Sequence, residues 1–181
     1  MDIKDRFHDR YFGPQGIISG IRVCIRRQHT WSALSLLCAT IESMVFLGLP
    51  DDFDIVNTHD FIVWVDKYMR PQRMGISAKD LWLLRCTLLD EQLPHDNAYN
   101  NDNQRKVLFA WGRYSVFDGM ELHPNSKWHR IMMIHAEEIY KSLLSGAEQF
   151  CNSYVSNPTN VFIVSRRLNQ IFGQAKPSSI E

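Results

Sequence analysis

The segment from Thr30 to Leu47 constrains the fold more than any other part of the chain. Its apolar side chains surround a helical axis on almost every side. A helix that is apolar all round is stable in water only when neighbouring elements cover it. Gly48 and Pro50 mark its end. The segment therefore predicts a central helix, and its apolar residues are Leu34, Leu36, Leu37, Ile41, Met44, Val45, Phe46 and Leu47.

One carboxylate interrupts this central helix. Glu42 shares a face with Ser35, Cys38, Ala39 and Phe46, where burial is expected. An ionised carboxylate is costly to bury unless a cation or several hydrogen-bond donors meet it. The sequence therefore requires a partner for Glu42 on another element.

A second misplaced charge lies in the segment from Ser77 to Gln92. At about 100° per residue, four large apolar side chains fall within about 60° of Arg85 on a helical wheel; they are Leu81, Trp82, Leu88 and Leu89. Because a guanidinium does not lose its proton, Arg85 must meet an anion, a water-filled cleft or a partner surface. Glu42 is the obvious anion for a buried ion pair. An active or ligand site and a dimer interface are the other interpretations, and the three overlap.

The remaining chain reads as further helices of one domain. We expect a short helix in an N-terminal extension, residues 1–14, and the body of the domain in residues 15–173. Turn and capping signals then delimit the other elements. They are an amphipathic helix near Ile17–Ile25, a helix His59–Met69 capped by Asn57 or Thr58, a capping box at Ser77–Asp80, a loop His95–Arg105, a long helix from Ser126 or Trp128 to Val155, a last helix from Asn157–Pro158 to Gly173, and a disordered tail, residues 174–181.

A small β-hairpin is predicted near residues 106–123. Val107–Trp111 and Tyr114–Phe117 look extended, and Asp118–Gly119 is a strong two-residue turn signal before Met120–His123. The predicted fold class is therefore mainly α, a multi-helix up-down bundle of four to six helices with a small β-hairpin insertion.

Charge and cysteine usage exclude several classes of function. Lys and Arg number 20, as do Asp and Glu, so no whole-chain field attracts nucleic acid or an anionic membrane. The four cysteines and seven histidines show no metal-ligand spacing, which predicts reduced structural thiols, no metal and no cofactor. The mixed charges of residues 1–10 do not predict a secretory signal, and we expect the apolar stretch 33–50, which contains Glu42, to be too short and too polar for a membrane span. We expect a cytoplasmic protein without membrane partners.

Three segments in order resemble small bacterial HEPN-like proteins. They are the helix Ala33–Leu47 with its acidic residue, the aromatic helix Phe61–Met69, and Asp80–Asp90 around Arg85. The resemblance implies a helical bundle, usually a homodimer, and in many members a metal-independent endoribonuclease of toxin or phage-defence systems. The catalytic motif of that family is an arginine, four to six residues, then a histidine. Arg85 matches the arginine, but Asp90 holds the histidine position.

The aspartate changes the expected chemistry. An ionised Asp90 would repel a phosphate, and on a regular helix it lies about 140° from Arg85, so the two do not point at one spot. As a catalytic pair, Arg85 and Asp90 would converge only across a dimer or an unwound helix. We therefore favour a non-catalytic binding or regulatory module acting as a homodimer. The alternative is a metal-independent endoribonuclease or nucleotide-binding protein of a toxin-antitoxin or phage-defence system, with RNA, a nucleotide or a small protein antidote as its partner.

Overall fold

A computed structural model describes residues 2–71, 75–89, 106–110 and 131–173 of the chain. This part is mainly helical, as predicted. The helices are α1 (Ile3–Phe12), α2 (Ile17–Arg26), α3 (Thr30–Gly48), α4 (Thr58–Trp64), α5 (Ala78–Leu89), α6 (Ala136–Phe150) and α7 (Val161–Phe172). The π-helical turns Val65–Met69 and Cys151–Val155 continue α4 and α6, and the 3-10 turn Pro158–Asn160 precedes α7.

The central position predicted for the apolar helix is confirmed. Helix α3 packs against α2, α4, α5, α6 and α7. Its length of 19 residues and mean hydropathy of 1.5 would suit a membrane span, yet half of the apolar window is buried inside the structure. The buried residues of α3 are Ala33, Leu34, Leu37, Cys38, Thr40, Ile41, Met44, Val45 and Leu47.

Helix α1 belongs to the same core, which corrects the expected boundary at residue 15. Ile3, Phe7 and Tyr11 are buried, and the rings of Phe7 and Tyr11 stack with centroids 4.5 Å apart. The Tyr11 hydroxyl hydrogen-bonds the Ser43 hydroxyl of α3 at 2.9 Å. The Gly13–Pro14 break that suggested a separate extension only turns the chain between α1 and α2. Residues 2–14 are therefore part of the domain and do not extend from it.

The long helix predicted from residue 126 or 128 begins later than expected. Ile131–His135 form strand β2, which pairs in parallel with strand β1, Lys106–Ala110, and α6 starts at Ala136. Apolar runs of this length suit a strand as well as a helix, and the pairing with β1 decides between them. Most of the predicted hairpin near 106–123 lies outside the described residues, as do the 95–105 loop and the tail, residues 174–181.

Two capping boxes fix the starts of α4 and α5. Asn57 Oδ1 accepts from the Asp60 amide at 3.0 Å, and Asp60 Oδ2 accepts from the Asn57 amide at 3.4 Å. The Asp80 carboxylate likewise accepts from the Ser77 amide at 2.8 Å, and the Ser77 hydroxyl accepts from the Asp80 amide at 3.2 Å. Both starts are where the sequence predicts them.

Helix α6 approaches the first π-helical turn closely at Gly146. A Cβ at this position would lie 3.1 Å from the Tyr68 carbonyl oxygen and 3.1 Å from Met69 Cγ. Gly48 at the end of α3 offers a contrast, since a Cβ there would come no closer than 3.4 Å to Phe150.

We predict opposite outcomes for alanine at these two glycines. Gly146→Ala should lose about 1 to 2 kcal/mol, because the methyl group presses on a backbone carbonyl that cannot move aside, despite the better helix propensity of alanine. Gly48→Ala should be at least as stable as the parent. Urea unfolding followed by far-UV circular dichroism measures both, and equal stabilities would contradict the close approach.

Candidate functional site

Arg85 and Glu42 form the predicted ion pair. Arg85 Nε donates to Glu42 Oε2 at 3.0 Å, and Nη2 donates to Oε1 at 2.7 Å. Two parallel bonds of this kind fix both planar groups and are stronger than a single contact. The side chains of Arg85 and Glu42 keep 15% and 27% of their accessible surface, so the pair is partly and not fully buried. It joins α5 to the central helix α3.

Trp82 and Cys38 are two of the neighbours of the pair. The Arg85 guanidinium carbon lies 5.1 Å from the centroid of the Trp82 ring, within the range of a cation–π contact. Burial raises the pKa of the Cys38 thiol to about 12 although Arg85 opposes the shift. Cys38 is thus a protonated thiol at neutral pH and no nucleophile. Cys24, Cys38, Cys86 and Cys151 are not joined in disulfides.

A groove of about 450 Å³ opens beside the ion pair. Its charged lining residues in the described part of the chain are Glu42, Asp54 and Arg85. The formal charge of these described lining residues is therefore net negative even with the arginine counted. The other lining residues are Ala39, Ser43, Phe46, Ile55, Val56 and Ile171.

The second proposed catalytic residue, Asp90, lies outside the described residues. The catalytic pairing of Arg85 with Asp90 therefore stays a prediction. Within the described ranges no cluster of three or more His, Cys, Asp or Glu side chains is able to hold a metal ion.

Sequence reasoning missed the most deeply buried charge. Arg167 of α7 has no accessible surface and donates hydrogen bonds to three backbone carbonyls, those of Leu49, Pro50 and Phe53. The bonds to Pro50 and Phe53 measure 2.7 and 2.8 Å. Its guanidinium carbon also lies 4.9 Å from the centroid of the Phe46 ring. Burial and the neighbouring Arg166 lower the pKa of Arg167, which nevertheless remains a cation.

The helical wheel that singles out Arg85 would also have found Arg167. Val164, Leu168 and Ile171 form the apolar stripe of α7, and Arg167 lies within about 100° of each of them. The side chain therefore points at the core by phase alone. Its partners are backbone carbonyls, which carry no signal in the sequence.

Arg167 holds one wall of the groove in place. Its bonds fix the backbone from Leu49 to Phe53, and the next three residues, Asp54, Ile55 and Val56, line the groove. The chain here is a loop of residues 49–57 without regular secondary structure. Arg167 thus positions the loop that faces Glu42 and Arg85, and its neighbour Arg166 adds an exposed pair with Asp51.

Comparisons with protein-family models, curated proteins and solved structures gave no match to the chain. The resemblance to HEPN-like proteins accordingly stays a prediction.

We predict that breaking the ion pair costs more than removing both of its charges. Arg85→Met should lose about 1 to 3 kcal/mol, because it leaves Glu42 partly buried without its cation. Glu42→Leu combined with Arg85→Met should regain most of that loss. A double-mutant cycle by urea unfolding measures the coupling, for which we expect about 1 to 2 kcal/mol.

The exposed pair of Lys141 and Glu138 on α6 is the matched control for this cycle. Its side chains keep 69% and 53% of their surface, so Lys141→Met should change the free energy of unfolding by less than about 0.5 kcal/mol. If the coupling energy between Glu42 and Arg85 is no larger than the change in the free energy of unfolding on Lys141→Met, the pair is not a determinant of stability.

We predict that two adjacent arginines of α7 differ strongly in their contribution to stability. Arg167→Met should lose about 3 kcal/mol or more, since three carbonyls of the 49–53 backbone lose their donors. Arg166→Met should lose less than about 1 kcal/mol, because the side chains of its 2.5 Å pair with Asp51 keep 38% and 49% of their surface. Thermal unfolding of both variants provides the comparison, and similar losses would contradict the role assigned to Arg167.

Proposed function

We propose that the chain is a HEPN-like helical bundle that acts as a homodimer. In this proposal it is a non-catalytic module that binds a partner. The observation that carries this proposal is the bidentate pair between Arg85 and Glu42. An arginine that serves a phosphate must present its donors to that ligand. In this structure two of the Arg85 donors are bound to a carboxylate of the same chain.

The charge of the groove supports the same conclusion. A phosphate entering beside Arg85 would meet the carboxylates of Glu42 and Asp54 as well as the arginine. Like charges within a few Å oppose each other strongly in a partly desolvated site. The groove is therefore better suited to a partner with apolar and basic groups than to RNA.

The loop beside the groove offers apolar surface for such a partner. Phe53 and Ile55 are 54% and 80% exposed, and Ile55 lies at the groove itself. Arg167 anchors this loop through the Phe53 carbonyl, so its apolar side chains project from a fixed backbone. Rigid exposed apolar residues are typical of protein interfaces. We assign this surface to the contact between two copies of the chain.

We predict that Ile55→Asp converts the homodimer into a monomer. A charge at this position should disfavour burial against a second copy while leaving the fold intact, since the side chain is 80% exposed. Sedimentation velocity over a range of concentrations measures the oligomeric state, and circular dichroism checks the fold. Trp31→Asp is the control, because Trp31 is 69% exposed at the start of α3, two helical turns from the groove residue Ala39.

Three results would contradict the proposal. The first is that the parent protein sediments as a monomer at every concentration. The second is that Ile55→Asp leaves the dimer unchanged, and the third is that Trp31→Asp disrupts the dimer as much as Ile55→Asp does.

The ribonuclease alternative retains one supporting observation, which is that Arg85 lines a groove open to solvent. It is tested by incubating the purified protein with a panel of RNAs in the presence of EDTA. Under our proposal neither the parent nor Arg85→Met cleaves RNA. Cleavage by the parent that is lost in a folded Arg85→Met protein would replace the proposed function with the endoribonuclease.

A further inference from the structure

A second cavity, distinct from the groove at Arg85, is lined by aromatic rings. We call it the aromatic cleft, and define it by Trp64, Tyr68, Phe150 and Tyr154, with Gly48 at its wall. Its volume is about 190 Å³. The ring centroids of Trp64 and Tyr68 lie 5.1 Å apart, and those of Trp64 and Phe150 lie 5.7 Å apart. The rings of Phe150 and Tyr154 stack at 5.2 Å.

Both π-helical turns of the described chain contribute to this cleft. Tyr68 belongs to the turn Val65–Met69, and Tyr154 to the turn Cys151–Val155. Each turn is the end of its helix, closed by a bond from the Arg70 amide to the Val65 carbonyl in the first and from the Ser156 amide to the Cys151 carbonyl in the second. The two helix ends, far apart in sequence, present one tyrosine each to the same cavity. The cleft is therefore formed where two helix ends meet.

A buried hydrogen-bond donor borders the cleft without a partner. Trp64 is 5% exposed, and its indole Nε1 finds no acceptor among the described residues. The neighbouring ring atom Cδ1 would lie 3.9 Å from a Cβ at Gly48, so this edge of the indole faces the Gly48 wall. Buried donors are almost always satisfied in native proteins, and the exceptions call for a specific explanation such as an unseen water or ion or a catalytic role. Trp64 thus requires an acceptor.

The charges around the cleft favour an anion. Behind its wall Arg167 binds the Leu49 and Pro50 carbonyls and pairs with no carboxylate in the described part of the chain. At the mouth, the exposed Lys67 places its ammonium 4.9 Å from the Tyr68 ring centroid. The acidic lining residue Asp60 is already used, because its carboxylate caps α4. Among the described residues, the cation Lys67 and the engaged carboxylate Asp60 therefore line the cleft, and the Arg167 cation lies behind its wall.

We propose that the aromatic cleft binds a small aromatic carboxylate. The ligand ring lies against Trp64, Tyr68 and Phe150, and its carboxylate accepts the Trp64 Nε1 hydrogen and pairs with Lys67. Apolar cavities of about 150 Å³ hold a benzene ring in other proteins, so the volume suits one ring and its substituent. Because Nε1 is buried, the proposal requires a small displacement of the side chains that cover it before the carboxylate accepts its hydrogen.

The indole N–H signals of the protein test this proposal directly. The chain has five tryptophans, and the Trp64 signal in a ¹H–¹⁵N spectrum is assigned as the one that disappears in Trp64→Phe. Sodium benzoate should shift this signal saturably. Benzamide, which keeps an acceptor but has no charge, should bind more weakly, and toluene, which has neither, most weakly. Sodium acetate, a carboxylate without a ring, should not bind.

Calorimetric titration with benzoate measures what each group contributes. Trp64→Phe retains a ring but removes the donor, and should weaken binding at least tenfold. Gly48→Ala, whose added methyl group lies between Trp64 and Phe150, should weaken it as well by narrowing the cleft. Trp31→Phe is the matched control for the tryptophan variant, and should bind benzoate like the parent.

The proposal is overturned if benzoate at millimolar concentration leaves the Trp64 signal unmoved. It is also overturned if toluene binds as tightly as benzoate, or if Trp64→Phe keeps the parent affinity. The site does not depend on the proposed function, because Arg85 does not line the cleft. Arg85→Met and Ile55→Asp should therefore bind benzoate like the parent whatever their oligomeric state.

Discussion

The burial of Arg167 is the constraint on which both cavities depend. Its guanidinium replaces water as the donor for three carbonyls of a loop that has no regular structure of its own. The carbonyls of Leu49 and Pro50 belong to the wall of the aromatic cleft, while the Phe53 carbonyl leads into the wall of the groove at Arg85. The buried cation thus binds the backbone between two sites, together with the Arg166–Asp51 pair and the backbone bond from the Phe53 amide to the Pro50 carbonyl.

The chain satisfies its two inward-facing arginines in different ways. Arg85 meets the Glu42 carboxylate, which neutralises its charge, and the resulting ion pair links α5 to α3. Arg167 meets peptide dipoles and an aromatic face, which solvate the charge without cancelling it. A buried positive potential therefore persists near Phe46 and Tyr154, where the cation opposes the rise that burial imposes on the pKa of the Tyr154 hydroxyl. The Arg85 ion pair therefore stabilises the packing of two helices, whereas the Arg167 cation leaves a positive potential that favours a bound anion.

Much of the fold is predictable because it follows from periodicity and caps. The central helix α3, the capping boxes at Asn57 and Ser77, and the contact between Glu42 and Arg85 all follow from wheel phase and local hydrogen-bond chemistry. The sequence places Ile131–His135 in the long helix because this apolar run fits two periods, and only the pairing with β1 selects the strand. The aromatic cleft could not be predicted, since its residues come from three helices and its shape depends on π-helical turns that leave no clear pattern in the sequence.

These turns have a consequence for how the helices tolerate change in length. A hydrogen-bonded ring closed from residue i to i+5 contains one residue more than the α-helical ring, and each turn widens the last turn of its helix, which ends at Met69 or Val155. Loss of one residue before Tyr68 in Val65–Met69, or before Tyr154 in Cys151–Val155, would turn that tyrosine by about 100° about the helix axis and carry it away from the cleft. The two cleft tyrosines are thus placed by chain length as much as by residue type, and a single-residue deletion is the smallest change able to erase the cavity while leaving the core composition untouched.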